Sequence, residues 1–166
     1  MSEVINRSLP KPGRAIVDRF LDAPAPRTPI ETLEAMVANL NEGRISEFVA
    51  EFDMLFAFAD HGLNLHFSES RRLMEFLEKS RELFPDTMIE IVATFQSDDA
   101  VILEWNLTAT ERVTYGRTTL NSPISLSGVT IAQFHKGKVT RWSEYYDQLK
   151  ARRHSLASHF TRWLEY

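Results

Sequence analysis

Hydrophobic periodicity changes once along this chain, and the change limits the folds open to it. Between residues 29 and 84 apolar residues recur at helical spacing. Ile30, Leu33, Met36, Val37 and Leu40 make one stripe, and Leu73, Phe76, Leu77, Leu83 and Phe84 make another. From Thr87 onward the period is two: Ile89, Ile91, Ala93 and Phe95 alternate with Met88, Glu90, Val92 and Thr94. Val101, Leu103, Trp105, Leu107 and Ala109 then alternate with Glu104, Asn106, Thr108 and Thr110. One apolar and one mostly polar face is the signature of an antiparallel sheet covered on a single side. Helices first and a strand meander afterwards predict an α+β fold, a curved sheet wrapped around N-terminal helices.

Local signals sharpen the boundaries. Thr28-Pro29-Ile30-Glu31 reads as a capping box with proline at the first helical position. Gly43 ends that helix. Ser46 is expected to cap a short second helix carrying Phe48, Val49 and Phe52, and Ser68 a third that Pro85-Asp86 stops. Strands are expected over Met54 to Ala59, from Thr87 to the turn at Ser97-Asp98-Asp99, beyond that turn, from about Leu126 to His135, and over Lys138 to Tyr146. Residues 1–28 hold Pro10, Pro12, Pro24 and Pro26 and little periodicity, which predicts an arm, partly disordered or loosely packed. The domain proper is expected over 29–150. A basic amphipathic helix is expected over 151–166, its apolar side carrying Leu156, Phe160, Trp163 and Leu164.

Composition narrows the function classes. With 166 residues the chain is long enough for one domain with a proper core. A net charge of −4 argues against a nucleic-acid partner. The absence of cysteine excludes disulfides and thiolate chemistry and fits a cytoplasmic protein. Met-Ser-Glu-Val-Ile-Asn-Arg lacks the apolar core of a signal peptide, and no apolar run is long enough to cross a membrane, so no membrane partner is expected. His61, His66, His135, His154 and His159 have no tight metal spacing, so neither a metal nor another cofactor is expected.

The chemistry concentrates in Gly137-Lys138-Val139-Thr140-Arg141-Trp142-Ser143-Glu144-Tyr145-Tyr146-Asp147. Read as a strand, it places Trp142, Glu144 and Tyr146 on one face. A carboxylate between two aromatic walls suits a small-molecule site. Glu144 is therefore the first catalytic candidate, with Asp147 and Asp60 beside it. Trp105, Trp142, Tyr146 and His66 are the candidate ligand contacts. Simpler roles stand against each. Glu144 could pair with Arg141 or Arg117 on a solvated face, Asp147 could cap the last helix, Asp60 could serve the Asp60-His61-Gly62 turn, and His66 could be a surface residue.

The order of elements resembles the nuclear transport factor 2-like superfamily, and within it the SnoaL-like polyketide cyclases. Phe84-Pro85-Asp86, Gly116, Phe134 with Gly137-Lys138-Val139, and Trp142 through Asp147 carry the resemblance over about residues 29–150. It implies a cone-shaped fold with a deep apolar pocket, often paired as a homodimer through the outer face of the sheet. The stretch 137–147 is similar to the corresponding strand of limonene epoxide hydrolase. There the residue two after the tryptophan is a catalytic Asp, and here it is Glu144. The Arg and second Asp which that enzyme requires align with Trp105 and Leu107, which argues against epoxide hydrolysis. Asp60 falls near the proton-shuttling Asp of ketosteroid isomerase, but that enzyme's two oxyanion donors align with Met36 and Thr130, which argues against its scheme. The single acid/base carboxylate of SnoaL-type cyclases is matched by Glu144 or Asp147. The resemblance thus implies a hydrophobic or polycyclic ligand and cofactor-free proton transfer of the cyclase or isomerase type. The alternative is a non-catalytic ligand-binding or protein-association module, favoured by the uncharged face of Val101, Leu103, Trp105, Leu107 and Ala109.

Overall fold

A computed structural model describes residues 26–115 and 117–147. The proline-containing arm up to residue 25 and the helix expected over 151–166 lie outside the described residues. Helix α1 spans Pro29–Asn41 and α2 spans Ile45–Val49. Strands β1 (Phe52–Asp60) and β2 (Leu65–Phe67) form a hairpin, followed by α3 (Ser70–Leu83). Strands β3 (Met88–Ser97), β4 (Ala100–Tyr115), β5 (Thr118–His135) and β6 (Lys138–Tyr146) complete the described fold.

The strands make one curled, open six-stranded sheet in the order β2-β1-β6-β5-β4-β3. All neighbours are antiparallel except β1 and β6, which pair in parallel. The last strand therefore returns to lie beside the first, and chain segments some eighty residues apart become neighbours. The α+β class, with helices held against one face of a mostly antiparallel sheet, is as the sequence predicts.

The capping box forms as read. Glu31 N donates to Thr28 Oγ1 at 3.2 Å, and Thr28 N donates to Glu31 Oε2 at 2.8 Å. The other two caps differ. Arg44 precedes α2 without a side-chain cap, while Ser46 Oγ donates to Glu47 Oε2 at 2.6 Å. Glu69, not Ser68, occupies the N-cap position of α3. Phe52 belongs to β1, not to α2. Strand β5 begins eight residues before the expected Leu126. Its early part holds Pro123, which pairs with Thr110 on β4, whereas pairing with β6 starts only at Gly128. Up to that point β5 has no partner on its β6 side among the described residues, and a proline is tolerated on such an edge.

The core lies between the inner sheet face and the helices. Leu33, Met36, Phe48 and Leu73 from the helices meet Val101, Leu103, Val139 and Trp142 from the sheet, all essentially without exposure. The end of α1 is fastened to β3 by one side chain. Asn41 Nδ2 donates to Ile89 O at 2.9 Å, and Ile89 N donates to Asn41 Oδ1 at 2.7 Å, so the amide imitates a paired strand residue. Arg81 of α3 closes the same corner, donating to the carbonyls of Leu40, Asn41 and Thr87 at 3.0–3.3 Å. Replacing Asn41 by alanine leaves both Ile89 backbone groups without that partner. Asn41→Ala should lower stability by about 1–3 kcal/mol, the usual cost of unsatisfied part-buried polar groups. Urea denaturation reads this directly, and an unchanged midpoint would show that the latch contributes nothing.

Candidate functional site

A cavity of about 270 Å³ lies between the helices and the inner face of the sheet. Its walls are mostly apolar. Val37, Leu40, Phe76 and Leu77 form the helical side, and Leu103, Trp105, Leu107 and Leu126 the sheet side. The alternation seen in the sequence produces this face, since odd residues of β4 and even residues of β5 point inward.

The two carboxyls of the cavity stand where β1 and β6 run side by side. Asp60 is the last residue of β1, and in the parallel register it stands opposite Glu144 of β6. Both line the cavity. Asp60 is only 5% exposed, yet it is well supplied with donors. Leu63 N donates to Oδ1 at 2.8 Å, and the Tyr146 hydroxyl lies 2.9 and 3.0 Å from the two carboxylate oxygens. Asp60 thus closes the turn after β1, as its sequence context suggests, and faces the cavity as well. The Glu144 carboxyl accepts from Trp142 Nε1, which reaches Oε1 at 2.8 Å.

Electrostatics follow from this arrangement. Burial in apolar surroundings disfavours a charged carboxylate, and a second carboxylate nearby disfavours it further. Both causes, burial first and then Asp60, push Glu144 up to about 8. Burial also raises Asp60, against the opposing pull of the Leu63 and Gly62 N–H groups, the Tyr146 hydroxyl and His61. The Tyr146 phenol is raised by burial and by Asp60 and stays protonated, so it acts as a donor.

Two glycines make room for the aromatic side chains. A Cβ on Gly128 would fall 2.5 Å from Trp105 Cζ2, and one on Gly62 would fall 2.2 Å from Tyr146 Cζ. Gly128 pairs with Trp105 on one side and Tyr146 on the other. With nothing projecting between them, the indole and phenol rings stand 6.1 Å apart, and Trp105 Nε1 donates to Thr130 Oγ1 at 2.9 Å. Trp142 packs in a stacked arrangement with Phe58, its neighbour on β1, at 6.3 Å.

The fold therefore brings Glu144, Asp60, Trp105, Trp142 and Tyr146 to one cavity. Asp147 and His66 do not line it. Asp147 follows the end of β6 and is exposed. His66 is exposed because Leu65 and Phe67, its neighbours on β2, take the more buried side, and its ring faces His61 at 6.1 Å. Three contributors escaped the sequence reading: Arg81, whose helical position gave no sign of the cavity, and Gly62 and Gly128, whose role depends on side chains from other strands. The sequence also leaves unmarked that Glu111, two residues beyond Ala109 on β4, is 1% exposed. Among the described residues no cluster of histidines and carboxylates could hold a metal ion, and no helix is long and apolar enough to cross a membrane.

A pH dependence of stability follows. Glu144 has an ordinary value near 4.5 when exposed and about 8 in the fold. Between those limits the native state binds more protons than the unfolded chain, so stability falls as pH rises across that window and levels off above it. Asp60, also raised, acts in the same direction. Glu31, Glu47 and Asp86, held low by hydrogen bonds, lose their contribution only under more acidic conditions. Melting temperature measured from about pH 5 to about pH 9 should decline, and Glu144→Gln should flatten most of the slope. An equal slope in the variant would place the buried proton elsewhere.

Comparison with known proteins agrees with this geometry. The sequence profile of the SnoaL-like polyketide cyclases matches residues 30–154. No curated protein matches the chain. Many solved structures share its fold. A SnoaL-like protein of Jannaschia is 17% identical, with a TM-score of 0.67 over 79% of this chain and 96% of that one. A protein of Catenulispora acidiphila with a ketosteroid isomerase-like fold, in complex with trimethylamine, is 15% identical, with a TM-score of 0.63 over 78% and 94%. TerC, co-crystallised with polyporic acid, is 16% identical, with a TM-score of 0.62 over 75% and 95%. At these identities the structures speak for the fold alone, but the profile covers most of the chain, and the protein belongs to the SnoaL-like polyketide cyclase family within the nuclear transport factor 2-like fold.

Proposed function

We propose that this protein binds a hydrophobic or polycyclic small molecule in its cavity and catalyses cofactor-free proton transfer on it, as a cyclase or isomerase does. The observation that carries the reading is Glu144, a carboxyl inside an apolar cavity beside Trp142 and Tyr146, pushed up to about 8. A group poised near neutral pH can give or take a proton in the transition state, which is what general acid–base catalysis requires. Trp105, Trp142 and Tyr146 offer flat apolar surface to a flat ligand. Two proteins of the same fold hold small organic molecules, polyporic acid in TerC and trimethylamine in the Catenulispora protein, which supports a small-molecule occupant here. Trp105 and Leu107 bring no charge to the cavity, in keeping with a reaction other than epoxide hydrolysis.

A second reading keeps one observation in its favour. The cavity-facing residues Leu103, Trp105, Leu107 and Ala109 of β4 carry no ionisable group, as in a protein that only binds its ligand. The two readings separate at Glu144. A panel of polycyclic ketones, screened by native mass spectrometry, supplies the ligand. Glu144→Gln should then bind it with nearly unchanged affinity while turnover drops by about 10²–10⁴-fold. Asp147→Asn should leave turnover intact. Binding without any turnover in the unaltered protein would favour the binding module.

We also propose that two copies pair through the outer face of the sheet and that the protein works in the cytoplasm. The outer surface exposes Val92 and Phe95 of β3, Ile102 of β4 and Tyr145 of β6, with the polar Glu104 and Asn106 among them. Apolar anchors within polar surroundings suit an association patch. Sedimentation at micromolar concentration should report a dimer that Phe95→Glu weakens. A monomer at that concentration would refute the pairing.

A further inference from the structure

Asp60 and Glu144 are both carboxyls, they stand opposite each other on paired strands, and they share one apolar cavity. Their hydrogen-bond surroundings nevertheless differ. Asp60 accepts from Leu63 N and from the Tyr146 hydroxyl, and the Gly62 N–H also favours its charged form. Among the described residues, the Glu144 carboxyl accepts one side-chain hydrogen bond, from Trp142 Nε1. Donors stabilise a carboxylate and do nothing comparable for the neutral acid, so the surroundings favour charge on Asp60 and a proton on Glu144.

Leu63 N is a backbone donor, and the side-chain donor to Asp60, Tyr146, depends on Gly62. The two described glycines with left-handed backbone are Gly43 and Gly137, so Gly62 is not there to permit an unusual turn. What it supplies is space. A Cβ there would lie 2.2, 2.4 and 2.7 Å from Tyr146 Cζ, Cε2 and Cε1, inside the ring's own volume. Any larger residue must push the phenol away from Asp60.

We propose that Gly62 and Tyr146 form a proton-allocating pair: Gly62 seats the ring, the phenol hydroxyl holds Asp60 as the ionised base, and Glu144 is left as the protonated acid. This deepens the acid–base reading above and rests on it. The chemistry it allocates is the proton transfer already proposed, taken here on a carbonyl compound with a C–H bond next to the carbonyl. The Asp60 carboxylate takes the proton from that carbon. The C–H electron pair becomes the C=C bond of an enol, and the carbonyl oxygen takes the Glu144 proton as its π pair moves onto oxygen. Asp60 ends neutral, Glu144 ends ionised, and no oxidant or reductant is involved. The enol carbon can then be reprotonated or add to a second carbonyl. Other titratable groups around the pair are His61 and His66 on the turn and β2, Arg81 on the α3 wall, Glu111 farther along β4 and Tyr145 on the opposite face of β6. Arg81 is already directed at three backbone carbonyls.

The test needs no substrate. Carbon-13 resonances of the Asp and Glu side-chain carboxyls are followed against pH in the full chain, with Asp60→Asn and Glu144→Gln identifying the two signals. In the unaltered protein Asp60 should ionise first and Glu144 should keep its proton to higher pH. Tyr146→Phe keeps the ring and removes the hydroxyl, so Asp60 should titrate about one pH unit or more higher and Glu144 correspondingly lower. Gly62→Ala should reproduce that crossing. Unchanged titrations in Tyr146→Phe, or a proton retained on Asp60 in the unaltered protein, would overturn the proposal. A crossing in Tyr146→Phe without one in folded Gly62→Ala would overturn the role of Gly62. Because no turnover is read, failure here is distinct from failure of the acid–base reading, which the Glu144→Gln turnover measurement decides.

Discussion

The parallel pairing of β1 with β6 is the constraint on which the site depends. Every other neighbour in the sheet is antiparallel and joins segments close in sequence or linked by a turn. This pair joins residue 60 to residue 144 and sets two carboxyls in register on adjacent strands. Adjacent strands lie about 4.8 Å apart, and at that spacing in an apolar cavity two carboxyls do not both ionise at little cost. Burial first and Asp60 second raise Glu144, and burial raises Asp60; strand topology is what brings both carboxyls to the one cavity.

The rest of the site accommodates that pairing. Trp142 lies two residues before Glu144 on the same face and donates to it, while Tyr146 lies two residues after and donates to Asp60. One strand thus delivers a carboxyl and one donor for each member of the pair. Across the sheet, Gly128 and Gly62 leave the volume that Trp105 and Tyr146 fill. Thr130 satisfies the Trp105 indole, and among the described residues no buried side-chain polar atom lacks a hydrogen-bond partner. The buried side-chain polar groups described are therefore satisfied, and what remains costly is charge. That state suits the proton transfer proposed above, since burial favours returning a proton to Glu144.

Much of this was legible in the sequence because it is written in local patterns. The change of period at Thr87, the Thr28–Glu31 capping box and the alternation of β4 and β6 each express a short-range rule. The same alternation sets Trp105, Trp142, Glu144 and Tyr146 along the cavity. What was not legible depended on partners distant along the chain. Asp60 next to His61-Gly62 reads as a turn residue, and it is one. Its second role appears only once β6 lies beside β1. Pro123 and the threonines around it disguised the first half of β5, because edge strands tolerate residues that turns also favour. His66 lies between the half-buried Leu65 and Phe67 and faces outward, and the period of a three-residue strand is too short to read. The glycines carry no side chain to signal their purpose, and only the rings they accommodate reveal it.

The central claim is that the Asp60–Glu144 pair holds one proton at neutral pH. Infrared spectroscopy tests it most directly, because a neutral carboxylic acid has a C=O stretch well separated from that of a carboxylate. At pH 7 the protein should show a carboxylic-acid band that Glu144→Gln abolishes, and that disappears from the unaltered protein only when the pH is raised past about 8. A spectrum at pH 7 with carboxylate bands alone, identical in the variant apart from the lost side chain, would contradict the account.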